Sequence, residues 1–322
     1  MCEILFISSG FLVGYNYYRK NMKCDYESSL QYCYKHIRNF YPLEFINTLY
    51  GFFVIQGKKY NLTDIEILIS NLLMIKSWSR YSKLASCFNS ISWFLSALIF
   101  CYFLTPLLLK GIENICKSLK LFVLVLLLRI LIEEIVSKGA LNLFDANFHR
   151  GPIIRLLEFY MGMLLIPSFF LFKFYLDKYK NRLSLKIFFT LIQLFLPSII
   201  YWIMLKYNYL LLRCYFIIIF CIFIFISGYE YGFLSDLFAS KFFVILMNCQ
   251  MEMYLVQITI NDIFNKLINN ERFVNKYNNE TQLLVKLFII FISAYSYKIC
   301  LKDKFSKLLD SFLTKLKIII FN

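Results

Sequence analysis

Apolar residues come in long blocks along this chain, separated by shorter stretches that hold most of the charged residues. Residues 121–128 and 215–226, for example, carry almost no polar side chains. About 20 apolar residues suffice for a helix to cross the hydrocarbon of a bilayer, and a helix satisfies its own backbone hydrogen bonds there. The pattern predicts an all-α, polytopic integral membrane helical bundle and excludes a soluble globular domain.

Nine blocks are interpreted as membrane spans: residues 3–18, 41–56, 91–109, 119–136, 153–172, 186–205, 209–227, 241–260 and 283–301. A tenth candidate, residues 65–75, is short and bounded by Asp64 and Lys76. We interpret it as a half-buried or interfacial helix. If it spans the membrane instead, the sidedness of every later segment is reversed. The spans form one predicted membrane domain over residues 1–301.

The loop residues predict which side of each span faces the cytoplasm. With nine spans, four loops share one side with the tail and together hold most of the loop lysines and arginines; these loops are 19–40, 110–118, 173–185 and 228–240. The positive-inside rule assigns that side to the cytoplasm. We therefore expect a multi-pass protein of the cell membrane, in a bacterial inner membrane, with a cytoplasmic C-terminus. Residues 302–322 predict a basic amphipathic helix on the inner leaflet.

Composition supports a lipid environment, because 60% of the 322 residues are hydrophobic and only 17% are charged. The formal net charge of +15 would suggest nucleic acid as a partner of a soluble protein. Here the basic residues lie between apolar blocks, so they indicate topology and contacts to anionic lipid, with no nucleic acid partner. The ten cysteines are scattered without a CxxC pair, and no histidine stands at metal-ligand spacing. We interpret them as small apolar residues and expect no metal site.

Ionisable residues inside the blocks are candidate functional residues, because each costs about 2.5 to 3.5 kcal/mol at the centre of a span. The candidates form four clusters: Arg129 with Glu133 and Glu134, Arg155 with Glu158, Glu44 just past Pro42, and Glu252 with Gln250 and Gln257. Arg129 and Glu133 are four residues apart, and Arg155 and Glu158 are three apart. Both spacings allow an ion pair within one helix, so a structural role and a functional one both remain open.

Histidine is the usual general base near neutral pH, and this chain has two. His36 lies in a basic loop with Lys35 and Arg38, and His149 lies in the loop before the fifth span. Taken alone, each is more often a surface residue than a base.

Five short motifs follow one another along the chain, and their order is informative about the protein family. The chain reads LFISSGFLVGYNYYRK, then YKHIRNFYPLEF, FNSISWFLSALIFCYFLTPLL, HRGPIIRLLEFYMGMLL and CQMEMYLVQITI. This succession resembles the membrane-bound acyltransferase family 3, the O-acyltransferases of surface polysaccharides. The family patterns FFxLSGFL, RRxxRxxP, WYLSA ending in Pro, RxxEFxxGM and YLxH correspond to residues 6–12, 36–42, 93–106, 155–163 and 254–257. Each motif alone is weak, but together they cover most of the chain.

The resemblance implies transfer of an acyl group, namely acetyl from acetyl-CoA, to a hydroxyl of a cell-surface or lipid-linked sugar. Acyl-CoA would be a donor substrate, and no cofactor would be bound. Such chemistry needs a base for the hydroxyl and positive charge for the CoA phosphates. We expect Arg38 to bind the phosphates and Arg155 to orient the acceptor or the acyl carbonyl. The remaining candidates are Asn89, Trp93 and Ser96 as pocket residues, and His149 and Glu158 as catalytic groups.

The chain also departs from the family pattern. Members have about ten spans and begin with one that carries a catalytic histidine, whereas this sequence starts five residues ahead of Phe6. Gln257 replaces the histidine of YLxH, and Ala97 stands where some members have an acidic residue. We expect the polypeptide as written not to acetylate glycans and a version extended upstream by one span to do so. A start codon placed too far downstream, a decayed gene and a member that works without the usual base are the competing explanations.

Two other classes of protein stay open. One is a polysaccharide polymerase or flippase of a surface-glycan pathway, although polymerases usually carry a large external loop and flippases about twelve or more spans. The other is a truncated, non-catalytic partner protein, which fits the absent histidine.

Overall fold

The computed structural model describes residues 2–20, 29–55, 62–78, 88–137, 150–179, 182–206, 209–268, 279–305, 307–308 and 310–311. These residues form helices and no strand, which confirms the all-α class. The helices are α1 Cys2–Arg19, α2 Ser29–Ile37, α3 Tyr41–Tyr50, α4 Leu62–Leu72, α5 Trp93–Leu108, α6 Ile115–Ser137, α7 Pro152–Leu164, α8 Ile166–Leu176, α9 Leu183–Lys206, α10 Tyr209–Ser227, α11 Phe233–Phe238, α12 Lys241–Asn248, α13 Gln250–Ile268 and α14 Asn279–Cys300. A π-helical segment, Gly51–Ile55, extends α3.

Four stretches of the described chain are long and apolar enough to cross a membrane: Trp93–Gly111, Pro152–Tyr179, Leu183–Ile203 and Glu280–Cys300. A fifth is present if α12 and α13, which meet at a bend of 62°, form one broken span. The predicted count of nine spans is therefore not confirmed. Helix α6 does not qualify by composition, since its 23 residues include five charged ones, Lys117, Lys120, Arg129, Glu133 and Glu134.

The candidate tenth span, residues 65–75, overlaps α4, which has only 11 residues. At 1.5 Å per residue such a helix covers about 16 Å, roughly half of the hydrocarbon thickness. This length agrees with our interpretation that the segment does not cross the membrane.

The described chain divides into two compact units, of which the first comprises Met1–Tyr32 and Phe100–Phe243. Its centre is the crossing of α1 and α7, where a Cβ atom on Gly10 would collide with the carbonyl oxygen of Phe159 and one on Gly162 with the carbonyl oxygen of Ile7. The backbones touch because neither glycine has a side chain, as in other close helix crossings in membranes. The crossing aligns the polar residues of α1 and α7 that are described below.

The second unit comprises Cys33–Ile99 and Val244–Asn322. Helix α3 begins with Pro42 in its first turn, where a missing N–H costs nothing. Asn47 of α3 donates a hydrogen bond of 3.1 Å to the carbonyl oxygen of Leu255 and accepts one of 3.0 Å from Thr259. These bonds fix α3 against α13.

Lys298 of α14 and Lys302, just after this helix, bond to residues on the two sides of the bend between α12 and α13 in the second unit. Lys298 donates a hydrogen bond to the carbonyl oxygen of Asn248, the last residue of α12. Lys302 pairs with Glu252 in the first turn of α13 at 2.7 Å. The two lysines therefore satisfy polar groups on both sides of the bend.

The first residues of the predicted amphipathic tail are helical, at 302–305. Residues 312–322 lie outside the described part of the chain, so the lipid-facing surface of this tail stays a prediction.

Candidate functional site

A row of buried ion pairs connects three helices of the first unit. Arg129 of α6 bonds Glu133 at 2.5 Å and Glu158 of α7 at 3.3 Å. Arg155 of α7 bonds Glu158 at 2.5 Å and lies 3.7 Å from Glu3 of α1. Both predicted intrahelical pairs, Arg129 with Glu133 and Arg155 with Glu158, are thus present.

Burial explains why these charges must be paired. The side chains of Arg129, Arg155, Glu158 and Glu3 are all at most 2% exposed, and an isolated charge at such a site would cost several kcal/mol. Each oxygen of Glu158 accepts a hydrogen bond from a guanidinium, Oε1 from Arg129 and Oε2 from Arg155. Glu158 is therefore a carboxylate with both oxygens already bonded to cations.

A second buried polar cluster surrounds Glu44 in the second unit. Glu44 Oε2 accepts a hydrogen bond of 2.8 Å from the Asn89 side-chain amide. Its Oε1 accepts one of 3.3 Å from the hydroxyl of Thr48, one helical turn further along α3. Lys76 interacts electrostatically with the carboxylate, and Lys76 Nζ donates to the backbone oxygen of Asn89. Glu44, Lys76 and Asn89 are each 1% exposed.

Two strained residues flank this cluster in the chain. Met74 and Phe88 have φ angles of 53° and 59°, in the left-handed region that non-glycine residues seldom adopt. Met74 ends the turn after α4 and directs the chain to Lys76, and Phe88 directly precedes Asn89. Backbone strain of this kind costs about 1 to 3 kcal/mol and is common at functional sites.

The predicted pocket residues Ser96 and Trp93 lie at the start of α5 in the same unit. The Ser96 hydroxyl lies 2.7 Å from the Ser77 hydroxyl and accepts a hydrogen bond of 3.2 Å from the Ser77 backbone N–H. Trp93 is buried, with its ring 6.5 Å from that of Phe94. Because Ser77 follows Lys76, these bonds connect α5 to the segment that carries the Lys76 ammonium.

Arg38, the predicted phosphate-binding residue, lies at a more accessible place in the second unit. Its Nη1 bonds Asp310 of the tail at 3.3 Å, and the two side chains are 41% and 40% exposed. The hydroxyl of Tyr34 donates to the same carboxylate. Partial burial and the bond to Asp310 raise the pKa of Tyr34 to about 12, so this hydroxyl keeps its proton at neutral pH.

The second unit therefore holds Arg38, Asn89, Trp93 and Ser96, and the first holds Arg155 and Glu158. His149 lies outside the described residues. Residue spacing does not predict the cross-helix contacts of Arg129 with Glu158 and of Arg155 with Glu3. In the sequence, Lys76 marks only the boundary of a short helix. Its pairing with a carboxylate from another helix cannot be predicted from the spacing of residues. Among the described residues, no group of three His, Cys, Asp or Glu side chains could hold a metal ion.

Apolar helices long enough to cross a membrane, with clusters of charged and polar side chains buried among them, define a helical membrane protein. The chain belongs to acyltransferase family 3: the family model, described as an acyltransferase domain, matches residues 3–298. The resemblance inferred from the five motifs is thereby confirmed, and the protein is a membrane acyltransferase. Comparisons with curated proteins and with solved structures found no match.

Proposed function

We propose that this protein transfers an acyl group, namely acetyl, from acyl-CoA to a hydroxyl of a cell-surface or lipid-linked sugar. The observation that carries the proposal is the family match over residues 3–298, which includes every polar contact described above except those made by Lys302 and Asp310. The lipid bilayer surrounds the apolar helices, and acyl-CoA acts as donor substrate.

The chemistry of O-acylation sets the requirements for the site. A sugar hydroxyl has a pKa far above neutral, so its attack on a thioester needs a positioned base. The oxyanion that forms on the carbonyl needs a nearby positive charge or hydrogen-bond donors. The CoA phosphates need cationic side chains that solvent can reach.

Arg38 suits the last requirement in this proposal. Its guanidinium is 41% exposed and carries several N–H donors, so a phosphate can bind it while the bond to Asp310 persists or exchanges. Asn89, Trp93 and Ser96 are proposed to line the acyl or acceptor pocket, and Arg155 to orient the acceptor or the acyl carbonyl. His149 and Glu158 stay the candidates for the base that the sequence alone suggests.

The test is expression of the chain, both as written and extended upstream by one span, in a host that lacks surface O-acetylation and is supplied with candidate acceptor glycans. Acetyl esters are measured by mass spectrometry, and acetyl-CoA consumption is measured in membranes. We expect Arg38→Ala to raise KM for acetyl-CoA by about tenfold to a hundredfold, the value of a charge-assisted hydrogen bond. Lys35→Ala, which removes an exposed charge three residues before Arg38, in α2, is the matched control. The proposed function would be contradicted if neither version of the chain formed an acyl ester with any acceptor.

A further inference from the structure

The carboxylate of Asp310 is bonded on both of its oxygens by two side chains at the end of α2, in the second unit. Its Oδ1 accepts a hydrogen bond from the Tyr34 hydroxyl, and its Oδ2 accepts one of 3.3 Å from Arg38 Nη1. Arg38 follows Tyr34 by four residues, and the Arg38 backbone N–H donates to the Tyr34 carbonyl oxygen. Both side chains therefore lie on one helical face. We call Tyr34 and Arg38 together the anion cradle.

The anion cradle is accessible to solvent, unlike the ion pairs of the first unit. The side chains of Arg38 and Asp310 are 41% and 40% exposed, whereas those of Arg129 and Glu158 are fully buried. An exposed ion pair contributes little to stability, because water and salt weaken the attraction and two side chains must be held still. Asp310 can therefore leave the cradle, and a ligand can reach it, without any opening of the helical core.

A phosphate suits the anion cradle better than a carboxylate does. Guanidinium groups bind phosphate through two parallel N–H bonds, and a phosphate monoester carries a charge of about −1.5 to −2 where an aspartate carries one. The Tyr34 hydroxyl stays protonated at neutral pH even without Asp310, because the ordinary pKa of tyrosine is about 10. It can therefore donate to either anion. Lys35, the exposed residue after Tyr34, adds a second positive charge to this helix.

Asp310 is an exception to the charge of the tail to which it belongs. Residues 304–322 contain four lysines and a single acidic residue, which is Asp310. The lysines would be repelled by Arg38 and Lys35 of α2, since like charges oppose close approach. Asp310 is thus the one residue of this tail that can occupy an anion site.

We propose that Asp310 occupies the donor phosphate site as an intramolecular competitor, and that Tyr34 and Arg38 bind a phosphate of acyl-CoA once the tail has left. This role rests on the proposed function, which makes acyl-CoA the donor. Tyr34 is then a second residue of the phosphate site beside Arg38. The tail sets the concentration of acyl-CoA at which the site fills.

Asp310→Asn is the direct test, in the chain as written and extended upstream by one span, purified in detergent and titrated with CoA. The measurement needs no turnover. A site that is blocked part of the time has a raised apparent Kd, so removing the competitor should lower the Kd for CoA by about threefold to tenfold. Asp303→Asn removes the same charge from an exposed position of the tail and should keep the natural Kd. A Kd for Asp310→Asn no lower than that of Asp303→Asn would overturn the competition.

Tyr34→Phe, made in the Asp310→Asn protein, separates the contact with the ligand from the contact with the tail. With the Asp310 carboxylate already removed, loss of the hydroxyl acts on CoA alone. The Kd for CoA should rise by about twofold to tenfold, the value of one hydrogen bond. Tyr175→Phe, at an exposed tyrosine of α8, is the control. An unchanged Kd in the Tyr34→Phe protein would remove Tyr34 from the phosphate site.

Limited digestion with trypsin follows the release of the tail directly. Lys307 is exposed and three residues before Asp310, and Lys241 is an exposed reference site in the first unit. Saturating CoA should speed cleavage after Lys307 relative to Lys241 in the natural protein. The Asp310→Asn protein should be cut fast with or without CoA. If CoA binds to the natural protein and leaves this ratio unchanged, Asp310 only anchors the tail and the proposal is wrong.

A lipid head group is a second source of phosphate, and the digestion separates the two sources. Vesicles of phosphatidylglycerol present phosphate without CoA. Faster cleavage after Lys307 with these vesicles, together with no effect of CoA, would assign the anion cradle to lipid and overturn its role in donor binding. CoA that binds equally well with and without the Asp310 carboxylate overturns the competition alone. Absence of CoA binding from both versions of the folded chain tells against the proposed function as well.

Discussion

Arg129 is a single residue whose positive charge pairs with two carboxylates. Its side chain is completely buried, and it bonds one carboxylate of its own helix and one of α7. Its Nη2 has no hydrogen-bond partner among the described residues. Removing Arg129 would leave Glu133 without this partner and Glu158 with one guanidinium in place of two.

We predict that Arg129→Met lowers the yield of folded protein strongly, because breaking a buried ion pair costs about 3 to 5 kcal/mol. Arg129→Met combined with Glu133→Leu should recover much of that yield, since it removes one charge of each sign and leaves Arg155 to neutralise Glu158. The measurement is the monodisperse fraction and the melting temperature in mild detergent. Equal yields for the single and the double variant would show that Glu133 does not depend on Arg129.

Residue spacing predicted the pairs within α6 and α7 and could not predict the pairs between helices. Arg129 with Glu133 and Arg155 with Glu158 follow from the geometry of one helix, which is known before any tertiary structure forms. The contact of Arg129 with Glu158 depends on the relative rotation of α6 and α7, and packing alone determines that rotation. Glu44 was recognised as a costly charge in an apolar block, but its partners Asn89 and Lys76 come from loops whose course no periodicity describes.

At the scale of elements, the crossing of α1 and α7 depends on two glycines that face each other's backbones. The motif pattern marked both residues without giving a reason for them. The structure gives one, because a side chain on either glycine would force the two helices apart and would separate Glu3 of α1 from Arg155 of α7.

We predict that Gly10→Ala lowers the melting temperature and the folded yield, because its methyl group would overlap the Phe159 carbonyl oxygen. Overpacking of this kind costs about 1 to 3 kcal/mol or more. Ser8→Ala is the matched control, since Ser8 is on the same helix and bonds only the backbone oxygen of Leu5 among the described contacts. A Gly10→Ala protein as stable as Ser8→Ala would mean that the helices tolerate a wider separation.

Helix positions were predicted better than the number of spans. Every predicted span contains a helix of the structure, because apolar blocks of this length and helical periodicity describe the same residues. The block at 241–260 is instead two helices that meet at 62°. Its sequence has no proline, so the sequence did not predict the bend, and its two stabilising lysines, Lys298 of α14 and Lys302 just after it, are identified only by the structure.

At the scale of the whole molecule, the side of the membrane on which each loop lies is still a prediction. The bonds from Tyr34 and Arg38 to Asp310 now provide a physical constraint on it. Two segments joined by side-chain hydrogen bonds lie on the same side of a membrane, so the loop after α1 and the tail share one side. The positive-inside rule predicts that this side is the cytoplasm.

We predict that single cysteines at Lys35 and at Lys304, in a protein whose ten native cysteines are replaced, resist a membrane-impermeant thiol reagent in intact cells. Both positions are exposed, and they should react once the membrane is opened. A cysteine at the exposed Glu280, in the loop assigned to the opposite side, should react in intact cells. Labelling of Lys35 and Lys304 from outside would reverse the topology, and labelling of only one would make α4 a true span.

The bend between α12 and α13 has a consequence for the order in which the protein is made. Lys298 of α14 and Lys302, just after it, follow their partners Asn248 and Glu252 by 50 residues. A ribosome therefore delivers α12 and α13 to the membrane well before the two ammonium groups that stabilise their junction. Glu252 gains its ammonium partner only once Lys302 has been synthesised. Formation of this junction therefore requires synthesis past Lys302, and a nascent chain released before Lys298 would lack both lysines that bond to it.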